Sequence, residues 1–513
     1  MKNLHHDLPA SLVVFLVALP LCLGIALASG APLFSGIIAG IVGGIVVGTI
    51  SGSHTGVSGP AAGLAVVVLN SIAELGSFEL FLVAVVLAGF FQIIMGILKG
   101  GVIAYYFPTS IIMGMLSGIG IIIFLKQLPH AIGDDRDAEG DFSFIQQDGE
   151  NTLTEIWHMF EFMSPGAIII TTVSLVILLM WETKYFKNHK ILRLIPGPLL
   201  AVMTGIGLNV LFGDSGPLSL RPDQMVIIPI PDGFKGFIGN FTYPDISALG
   251  NSQIYITALV IAVVASLETL LCVEASDKLD KHHRSTPTNR ELIAQGTGNM
   301  ISGLIGGLPV TQVIVRSSAN IQSGARTKVS AITHGLFLLT SIILIPKILN
   351  MIPLATLAAI LFLVGYKLAK PSTFRLIYAQ GKEQFIPFIV TILGIIFTDL
   401  LTGLGLGLCV AVLFILQNNY KSSYKRKTII DDGKETIHIE LAQELSFFNK
   451  AKMLKTLDSI PDDSRVIIDA SQTSYIHFDV MEILKDFRES IEERNIELKH
   501  IELFPDTNIL TEK

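Results

Sequence analysis

Charged residues are scarce in this chain of 513 residues: Asp, Glu, Lys and Arg make up 15% of it, whereas 50% is hydrophobic. Soluble domains carry about 25% charged residues, so the composition excludes an ordinary soluble protein and indicates a polytopic membrane protein. Cysteine is also nearly absent. Cys22, Cys272 and Cys409 all fall inside apolar runs, which excludes a disulfide framework or a zinc site and leaves packing as their predicted role.

Apolar segments of spanning length recur along most of the chain, separated by turns and polar loops. The first, 9–30, is long enough to cross a bilayer, so we predict no cleavable signal peptide. We predict fourteen spans in two groups of seven, at 9–30, 33–50, 57–74, 79–98, 103–126, 165–182 and 194–213, and at 253–275, 290–305, 310–323, 328–350, 352–369, 384–400 and 402–419. From Lys427 onward the pattern alternates between strand and helix, which predicts a small soluble α/β domain.

Lysine and arginine are concentrated in alternate loops, and this bias sets the orientation of the spans. In the predicted outer loops 127–163 and 214–252, the only basic residues of this kind are Arg136, Arg221 and Lys235. The basic groups that we assign to the cytoplasm lie at 184–193, 278–290, 326–328, 367–382 and 421–427. The pattern therefore predicts that both termini and the α/β domain are cytoplasmic.

An odd number of spans in each half inverts the second half relative to the first. Landmark prolines recur at a nearly constant offset, Pro60 with Pro309 and Pro108 with Pro353. This weak internal symmetry is the pattern of inverted-repeat membrane proteins. It predicts that spans three and ten are broken helices, whose helical parts start near the midplane from opposite sides. The alternative is two ordinary helices kinked at glycine and proline.

The stretch 306–328, GGLPVTQVIVRSSANIQSGARTK, is unusually polar for so apolar a protein. Its opening glycines and Pro309 prevent a helix from starting, and the mostly β-branched run 310–315 favours a short extended segment. We predict helical structure only from about Arg316. A half-length helix that starts inside a membrane presents unpaired N–H groups and the positive end of its dipole. Because Arg316 adds a full positive charge at the same point, the stretch suits an anion.

Glu268 is a carboxylic acid roughly midway through the eighth span. Burying its charge is costly unless it is paired, hydrated or protonated, so we predict a role in ion coupling or proton transfer. Thr269 is adjacent, and Cys272 follows at helical spacing on the same face. The alternative is that Arg316 serves only as a structural counter-ion of Glu268. His334 is alone in span eleven and is predicted to be a packing histidine with its hydrogen bonds satisfied.

Several motifs together resemble the SulP anion transporters, which include sulfate permeases and cyanobacterial bicarbonate transporters. NRELIAQGTGN, the GGLP turn, the arginine seven residues after that proline, and SGARTK follow the family's order, and VALPLCLGIALASG and SGPAAGLAVVV match in spans one and three. The resemblance implies an α-helical polytopic membrane protein with a uracil-permease-like fold. Within residues 1–426 it implies a core domain of spans 1–4 and 8–11 and a gate domain of spans 5–7 and 12–14. It also implies a homodimer, a bacterial inner-membrane location and a cytoplasmic STAS-like domain at 427–513.

Carried over by position, the resemblance places the anion between the helix starts of spans three and ten. The residues implied there are Ala62 and Gly63 on one side, and Gln312, Val313, Ile314 and Arg316 on the other. Ion coupling is implied for Glu268, Thr269 and Cys272.

The chain departs from sodium-coupled bicarbonate members of the family at Cys272 and Ile314, where those members carry threonine. Both changes remove oxygen ligands that Na⁺ would need. Sodium coupling is therefore disfavoured unless other ligands hold Na⁺ near Glu268, and a protonatable glutamate suits H⁺ coupling.

The C-terminal domain departs from the anti-sigma antagonist pattern at YIHFDVMEIL. There Val480 follows Asp479 in place of a phosphorylatable serine, so we do not expect a phosphorylation switch at this position. The chain ends soon after the last predicted strand, and a final helix is expected to be missing.

The implied function is secondary active transport of a small inorganic anion by elevator-type alternating access with Na⁺ or H⁺ coupling. Bicarbonate is favoured, with sulfate, chloride or a small dicarboxylate as alternatives, moved by symport or exchange. An anion channel is a further alternative, whereas a nucleobase permease would need acidic residues to grip its substrate, which Arg316 opposes. The sequence contains no nucleophile–base pair or metal-spacing motif, so we expect no enzyme activity, no resident cofactor and no nucleic-acid partner.

Overall fold

The computed structural model describes residues 3–135, 144, 151–183, 185–186, 196–213, 215–228, 233–421, 423–431 and 434–502. The chain divides into two units, Met1–Leu408 and Cys409–Lys513. Some of the basic residues used for orientation lie outside the described residues, namely Arg136, Lys184, Lys187, Lys190 and Arg193. The domain boundary between 426 and 427 and the cytoplasmic placement of both termini stay predictions.

The first unit is predominantly α-helical. Its helices are α1 (Leu4–Ala28), α2 (Leu33–Val42), α3 (Gly48–Ile50), α4 (Ala65–Leu75), α5 (Phe78–Ile97), α6 (Thr109–Ile132), α7 (Thr152–His158), α8 (Pro165–Glu182), α9 (Gly197–Phe212), α10 (Gly233–Gly239), α11 (Ser252–Leu279), α12 (Thr288–Leu304), α13 (Ile314–Gln322), α14 (Val329–Leu344), α15 (Pro346–Leu349), α16 (Leu354–Leu368), α17 (Pro371–Ala379), α18 (Lys382–Phe397) and α19 (Leu400–Lys421). The last of these begins before Leu408 and continues into the second unit. Two short strands, β1 (Ser58–Pro60) and β2 (Val310–Gln312), interrupt this helical pattern.

Within the described part of the chain, eight helical stretches are long and apolar enough to cross a membrane. They are Leu4–Ala28, Leu33–Ile50, Phe78–Ile97, Thr109–Ile132, Pro165–Glu182, Ser252–Leu279, Leu354–Ala379 and Leu400–Tyr420, and shorter apolar stretches are Ala62–Leu75, Gly197–Phe212 and Val329–Leu344. These lengths are those of a multi-pass membrane protein, as predicted. The count of fourteen spans and the inverted repeat stay predictions.

Span five differs from its prediction. The helix expected over 103–126 is α6, which begins at Thr109 and ends at Ile132. The reason is local, because Gly100–Tyr106 forms a 3-10 turn and Pro108 occupies the N-cap of α6. Proline fixes its own φ and pushes the preceding residue into an extended conformation, so a helix starts after it rather than through it.

Lys126, the last residue of the predicted span, lies inside α6 because this helix ends later than predicted. Nζ of Lys126 lies 3.3 Å from Oε2 of Glu155 on α7, and both side chains are buried. Two charges removed from water in this way depend on each other, because either one alone would be a buried, uncompensated ion. The pair therefore fastens α7 to α6.

We expect Glu155→Leu alone to destabilise the protein by about 3 kcal/mol or more, because it leaves Lys126 buried without its anionic partner. The double variant Lys126→Met, Glu155→Leu should recover most of this loss, since it removes both charges. Thermal unfolding of the purified protein in detergent measures the difference. A double variant as unstable as the single one would contradict the interpretation.

Close packing of α5 on α12 places the helix that supports the candidate site. A methyl group on Gly296 of α12 would meet the carbonyl oxygen of Gly89 on α5, and a methyl group on Gly89 would meet that of Gly296. Glycine at both positions lets the two backbones approach, which is a common device for packing membrane helices. The polar face of α12 is thereby held beside β1 and β2.

The second unit carries a four-stranded mixed sheet in the order β3-β4-β6-β8, in which β3 is antiparallel to β4 and the other pairs are parallel. Its elements are β3 (Tyr424–Asp431), β4 (Lys434–Leu441), β5 (Glu444–Leu445), α20 (Lys450–Asp458), β6 (Arg465–Asp469), β7 (Tyr475–Ile476), α21 (Phe478–Ser490) and β8 (Glu497–Ile501). The predicted alternation of strand and helix is confirmed, although β3, β5 and β7 were not predicted. Val480 is fully buried, so the position after Asp479 belongs to the core. The STAS-like assignment stays a prediction.

Candidate functional site

Two broken helices meet at the centre of the candidate site. β1 and β2 pair antiparallel, with Ser58 opposite Gln312 and Pro60 opposite Val310. A 3-10 turn over Ala62–Leu64 follows β1 and leads into α4, while α13 begins directly after β2 at Ile314 rather than at about Arg316. The predicted breaks at both prolines are thus confirmed, and the alternative of two continuous kinked helices is wrong.

The polar face of α12 supports this strand pair. Pro60 has no N–H to donate to Val310 across the ladder. Asn299 supplies the missing donor: its Nδ2 donates to the carbonyl of Val310 at 3.0 Å. Its Oδ1 also accepts from the N–H of Val310. One turn earlier, Nε2 of Gln295 donates to Oγ of Ser58 at 2.7 Å and to Oε1 of Glu291 at 2.9 Å.

Glu291, Gln295 and Asn299 were missed by sequence reasoning as supporting residues. All three are fully buried. A signal existed, since polar side chains recur every four residues and therefore lie on one face of a helix. These three polar residues belong to the motif NRELIAQGTGN, and their hydrogen bonds to the strand pair explain why polar side chains occur there.

A cavity of about 240 Å³ lies where the two helices start. Both broken segments line it, together with α1, α11 and three further segments, α6, α18 and the start of α19. Its lining residues are Leu21, Ile25, Pro60, Ala62, Gly63, Val66, Val67, Ile119, Ile122, Glu268, Cys272, Val313, Ile314, Val315, Arg316, Ile395, Asp399, Leu400 and Leu401. The structure therefore brings together residues that are distant in the sequence around one mostly apolar space.

Most of the site residues expected from the sequence line this cavity. Those that do are Ala62, Gly63, Glu268, Cys272, Val313, Ile314 and Arg316. Gln312 and Thr269 do not line it: the N–H of Gln312 donates to Oγ1 of Thr269 at 3.3 Å, and its Nε2 donates to Oγ of Ser276 at 2.8 Å. These two side chains hold β2 against α11, and their predicted parts in binding and coupling stay predictions.

Glu268 is 5% exposed and lies against the first turn after β1. A methyl group on Gly63 would lie 3.1 Å from its Oε2, so glycine at this position lets the carboxyl group approach the backbone. Among the described residues, no hydrogen bond or ion pair reaches this carboxyl group, and Arg316 is not paired with it. The alternative in which Arg316 is merely its counter-ion is therefore not supported.

Arg316 is a nearly unpartnered charge, 1% exposed, on the first turn of α13. Its Nη2 donates to Sγ of Cys22 at 3.3 Å, and its Nη1 has no hydrogen-bond partner among the described residues. A methyl group on Gly59 would overlap Nη1, so the guanidinium packs on the backbone of β1. Because thiol sulfur is only a weak acceptor, the positive charge beside the cavity is left largely uncompensated.

The start of α13 adds further positive character. N–H groups in the first turn of a helix have no partner within it, and they carry the positive end of the helix dipole. An anion at this end of the cavity would meet this helix terminus and the charge of Arg316 together.

His334 does not fulfil its prediction. It is fully buried on α14, as expected for a packing residue. However, neither Nδ1 nor Nε2 has a hydrogen-bond partner among the described residues. The expectation of a satisfied histidine is wrong, because burial alone does not supply an acceptor or a donor.

The chain matches the Sulfate permease family over residues 4–391. It belongs to this family. BicA of Picosynechococcus sp., a bicarbonate transporter, is 26% identical over 453 residues, which cover 86% of this chain and 75% of that protein. YvdB of Bacillus subtilis (strain 168), provisionally named a sulfate transporter, is 28% identical over 421 residues, which cover 81% of this chain and 74% of that protein.

Two solved structures are similar in fold. The transmembrane domain of a cyanobacterial bicarbonate transporter BicA gives a TM-score of 0.55 at 26% identity, over 80% of this chain and 98% of that domain. SLC26A9 gives a TM-score of 0.67 over 96% of this chain and 84% of that protein, and at 15% identity it shows the fold alone. The resemblance drawn from the motifs is confirmed: the sulfate permease family consists of anion transporters rather than enzymes, and this chain is one of its multi-pass membrane proteins.

We expect Arg316→Ala to raise the KM for the transported anion by about tenfold or more, because it removes the cationic side chain found among the described lining residues of the cavity. Arg326→Ala is the matched control. The Arg326 side chain is exposed, and its backbone N–H is held by Oδ1 of Asp7 at 2.7 Å. Anion uptake into liposomes measures both variants, and equal effects from the two would contradict the assignment.

Proposed function

We propose that this protein is a secondary active transporter of a small inorganic anion, bicarbonate being favoured, in the bacterial inner membrane. The observation that carries the proposal is the uncompensated charge of Arg316 at the paired helix starts, beside a cavity. Bicarbonate is supported by the BicA relatives and by the solved BicA domain. Sulfate is the main alternative, with YvdB as its support, and chloride or a small dicarboxylate follows.

Alternating access is supported by a second cavity. It measures about 170 Å³ and lies at the other end of α13, where Ala319, Gln322 and Ser323 line it together with Trp181 of α8 and Lys367 of α16. α13 thus borders one cavity with its first turn and another with its last. In each cavity, elements predicted for the core face elements predicted for the gate. An elevator movement of the core along the gate would open one cavity while closing the other.

Glu268 is the proposed coupling residue. In the described lining of the cavity, its neighbours Cys272 and Ile314 offer no side-chain oxygen, and the hydroxyl of Thr269 accepts the Gln312 N–H outside the cavity. Na⁺ requires several oxygen ligands, whereas a proton requires only the carboxylate itself. We therefore favour H⁺ over Na⁺ as the coupling ion. A homodimer, cytoplasmic termini and a STAS-like regulatory or dimerising domain complete the proposal.

The test is uptake by the purified full-length protein in liposomes, with bicarbonate, sulfate, chloride, nitrate and a dicarboxylate under imposed H⁺ or Na⁺ gradients. We expect saturable bicarbonate uptake that is driven above equilibrium by an inward H⁺ gradient. Uptake that never exceeds equilibrium under either gradient would favour the channel alternative or a pure exchanger. Transport of sulfate without bicarbonate would overturn the substrate assignment.

We expect Glu268→Gln to abolish the dependence of uptake on the driving gradient while anion exchange survives. Glutamine imitates the neutral carboxyl group, so the variant should fold and still bind the anion. In the parent protein, anion and cation binding should tighten each other by the same factor, and this linkage should disappear in the variant.

Glu274→Gln is the matched control for this experiment, because Glu274 lies on the same helix and forms an ion pair with Lys278 at 4.0 Å away from the cavity. It should leave gradient-driven uptake intact. If the Glu268 variant still concentrates the anion as the parent does, Glu268 is not the coupling residue.

A further inference from the structure

Asp399 is a second carboxylate at the cavity, and nothing in the sequence pattern singled it out. It lies between α18 and α19 and lines the cavity together with Ile395, Leu400 and Leu401. Its side chain is exposed, in contrast to the buried Glu268. Among the described lining residues, the ionisable acids and bases other than cysteine are Arg316, Glu268 and Asp399.

The carboxylate of Asp399 is held in place by the first turn of α19. Its Oδ1 accepts from the N–H groups of Leu401 and Thr402, both at 2.9 Å, and its Oδ2 accepts from Oγ1 of Thr402 at 2.7 Å. This is the geometry of an N-cap. The carboxylate is thereby held in a fixed position at the border of the cavity.

We propose that Asp399 is a specificity-determining residue that makes the cavity select singly charged over doubly charged anions. The proposal rests on the proposed function, since it assumes that an anion binds near Arg316. Arg316 attracts any anion, and the attraction grows with the anion's charge. Asp399 lowers this attractive potential, and a doubly charged anion loses twice as much by it as a singly charged one.

Desolvation acts in the same direction. The cost of removing an ion from water grows steeply with its charge, and the lining of the cavity is mostly apolar. A doubly charged anion needs a strongly positive site to offset this cost. Among the described lining residues one guanidinium faces two acidic side chains, so the cavity does not supply such a site. A singly charged anion that binds together with a proton on Glu268 leaves the net charge of the cavity unchanged, whereas a doubly charged anion makes it more negative. Selectivity that arises from an unfavourable contact with the wrong ligand is a common device in proteins.

Asp399→Asn removes the charge of this residue while keeping its role as the N-cap of α19. Asparagine is as good an N-cap as aspartate and accepts the same backbone N–H groups, but it has no charge. The matched control is Asp245→Asn. Asp245 caps the 3-10 turn Ile246–Gly250, accepts from the N–H of Ser247 at 3.0 Å and from its hydroxyl at 2.7 Å, and does not line the cavity. These hydrogen bonds lower the pKa of Asp245, so the control removes a capping charge of the same kind.

The experiment measures how sulfate and nitrate inhibit bicarbonate uptake by the purified full-length protein in liposomes at constant ionic strength. We expect Asp399→Asn to strengthen inhibition by sulfate about threefold or more relative to inhibition by nitrate. Asp245→Asn should leave this ratio at its parental value. Asp399→Glu, which keeps the charge but alters the cap, should also stay close to the parental ratio.

A folded, active Asp399→Asn protein with the parental ratio would overturn the inference, as would an equal change in Asp245→Asn. If Asp399→Asn does not fold, Asp399→Ser provides the neutral variant, because serine also caps helices. If neither neutral variant folds, the carboxylate is structural and the inference is overturned. A wild-type protein that takes up none of the anions would instead refute the proposed function, so the two failures are distinguishable.

Discussion

Backbone hydrogen bonding inside the membrane is the constraint on which the rest of this structure depends. No water is available in the hydrocarbon core to satisfy a broken helix, so irregular backbone survives there only when protein groups or a cavity satisfy it. Here the two breaks satisfy each other as β1 and β2. Where Pro60 cannot contribute a donor, Asn299 supplies the missing hydrogen bond from α12. The helix starts that result are fixed in position and face a common cavity.

The sequence could predict features that have local causes. Glycine and proline mark both breaks, and the isolated polar residues Glu268 and Arg316 could be picked out from their apolar surroundings. The rest depends on tertiary structure. Asp399 and Ile122 are ordinary residues of their segments until the fold brings them to the same cavity. Gln312 has a side chain that could bind a ligand, but this side chain donates a hydrogen bond to Ser276 instead. No local sequence pattern could show this contact.

The charge of Arg316 shows how function and stability oppose each other in this site. A guanidinium with an unpartnered Nη1 and a thiol as its acceptor is a costly arrangement, and a structural role alone would favour a carboxylate partner. SLC26A9 shares the fold of this chain at 15% identity, and a shared fold does not by itself decide the substrate. We therefore expect differences in substrate among members of the sulfate permease family to depend on the few side chains that line the cavity, such as Cys272 and Ile314.

The pairing of β1 with β2 also has a consequence for biosynthesis. Its supporting hydrogen bond from Gln295 to Ser58 joins residues 237 positions apart, so the first half of the chain leaves the ribosome long before its partner exists. During that interval the segment around Pro60 has unpaired backbone groups, and contacts of such long range form late. We therefore expect the nascent first half to depend on the translocon or on a chaperone, and truncated chains that end before β2 to be recognised by quality-control proteases rather than to accumulate in the membrane.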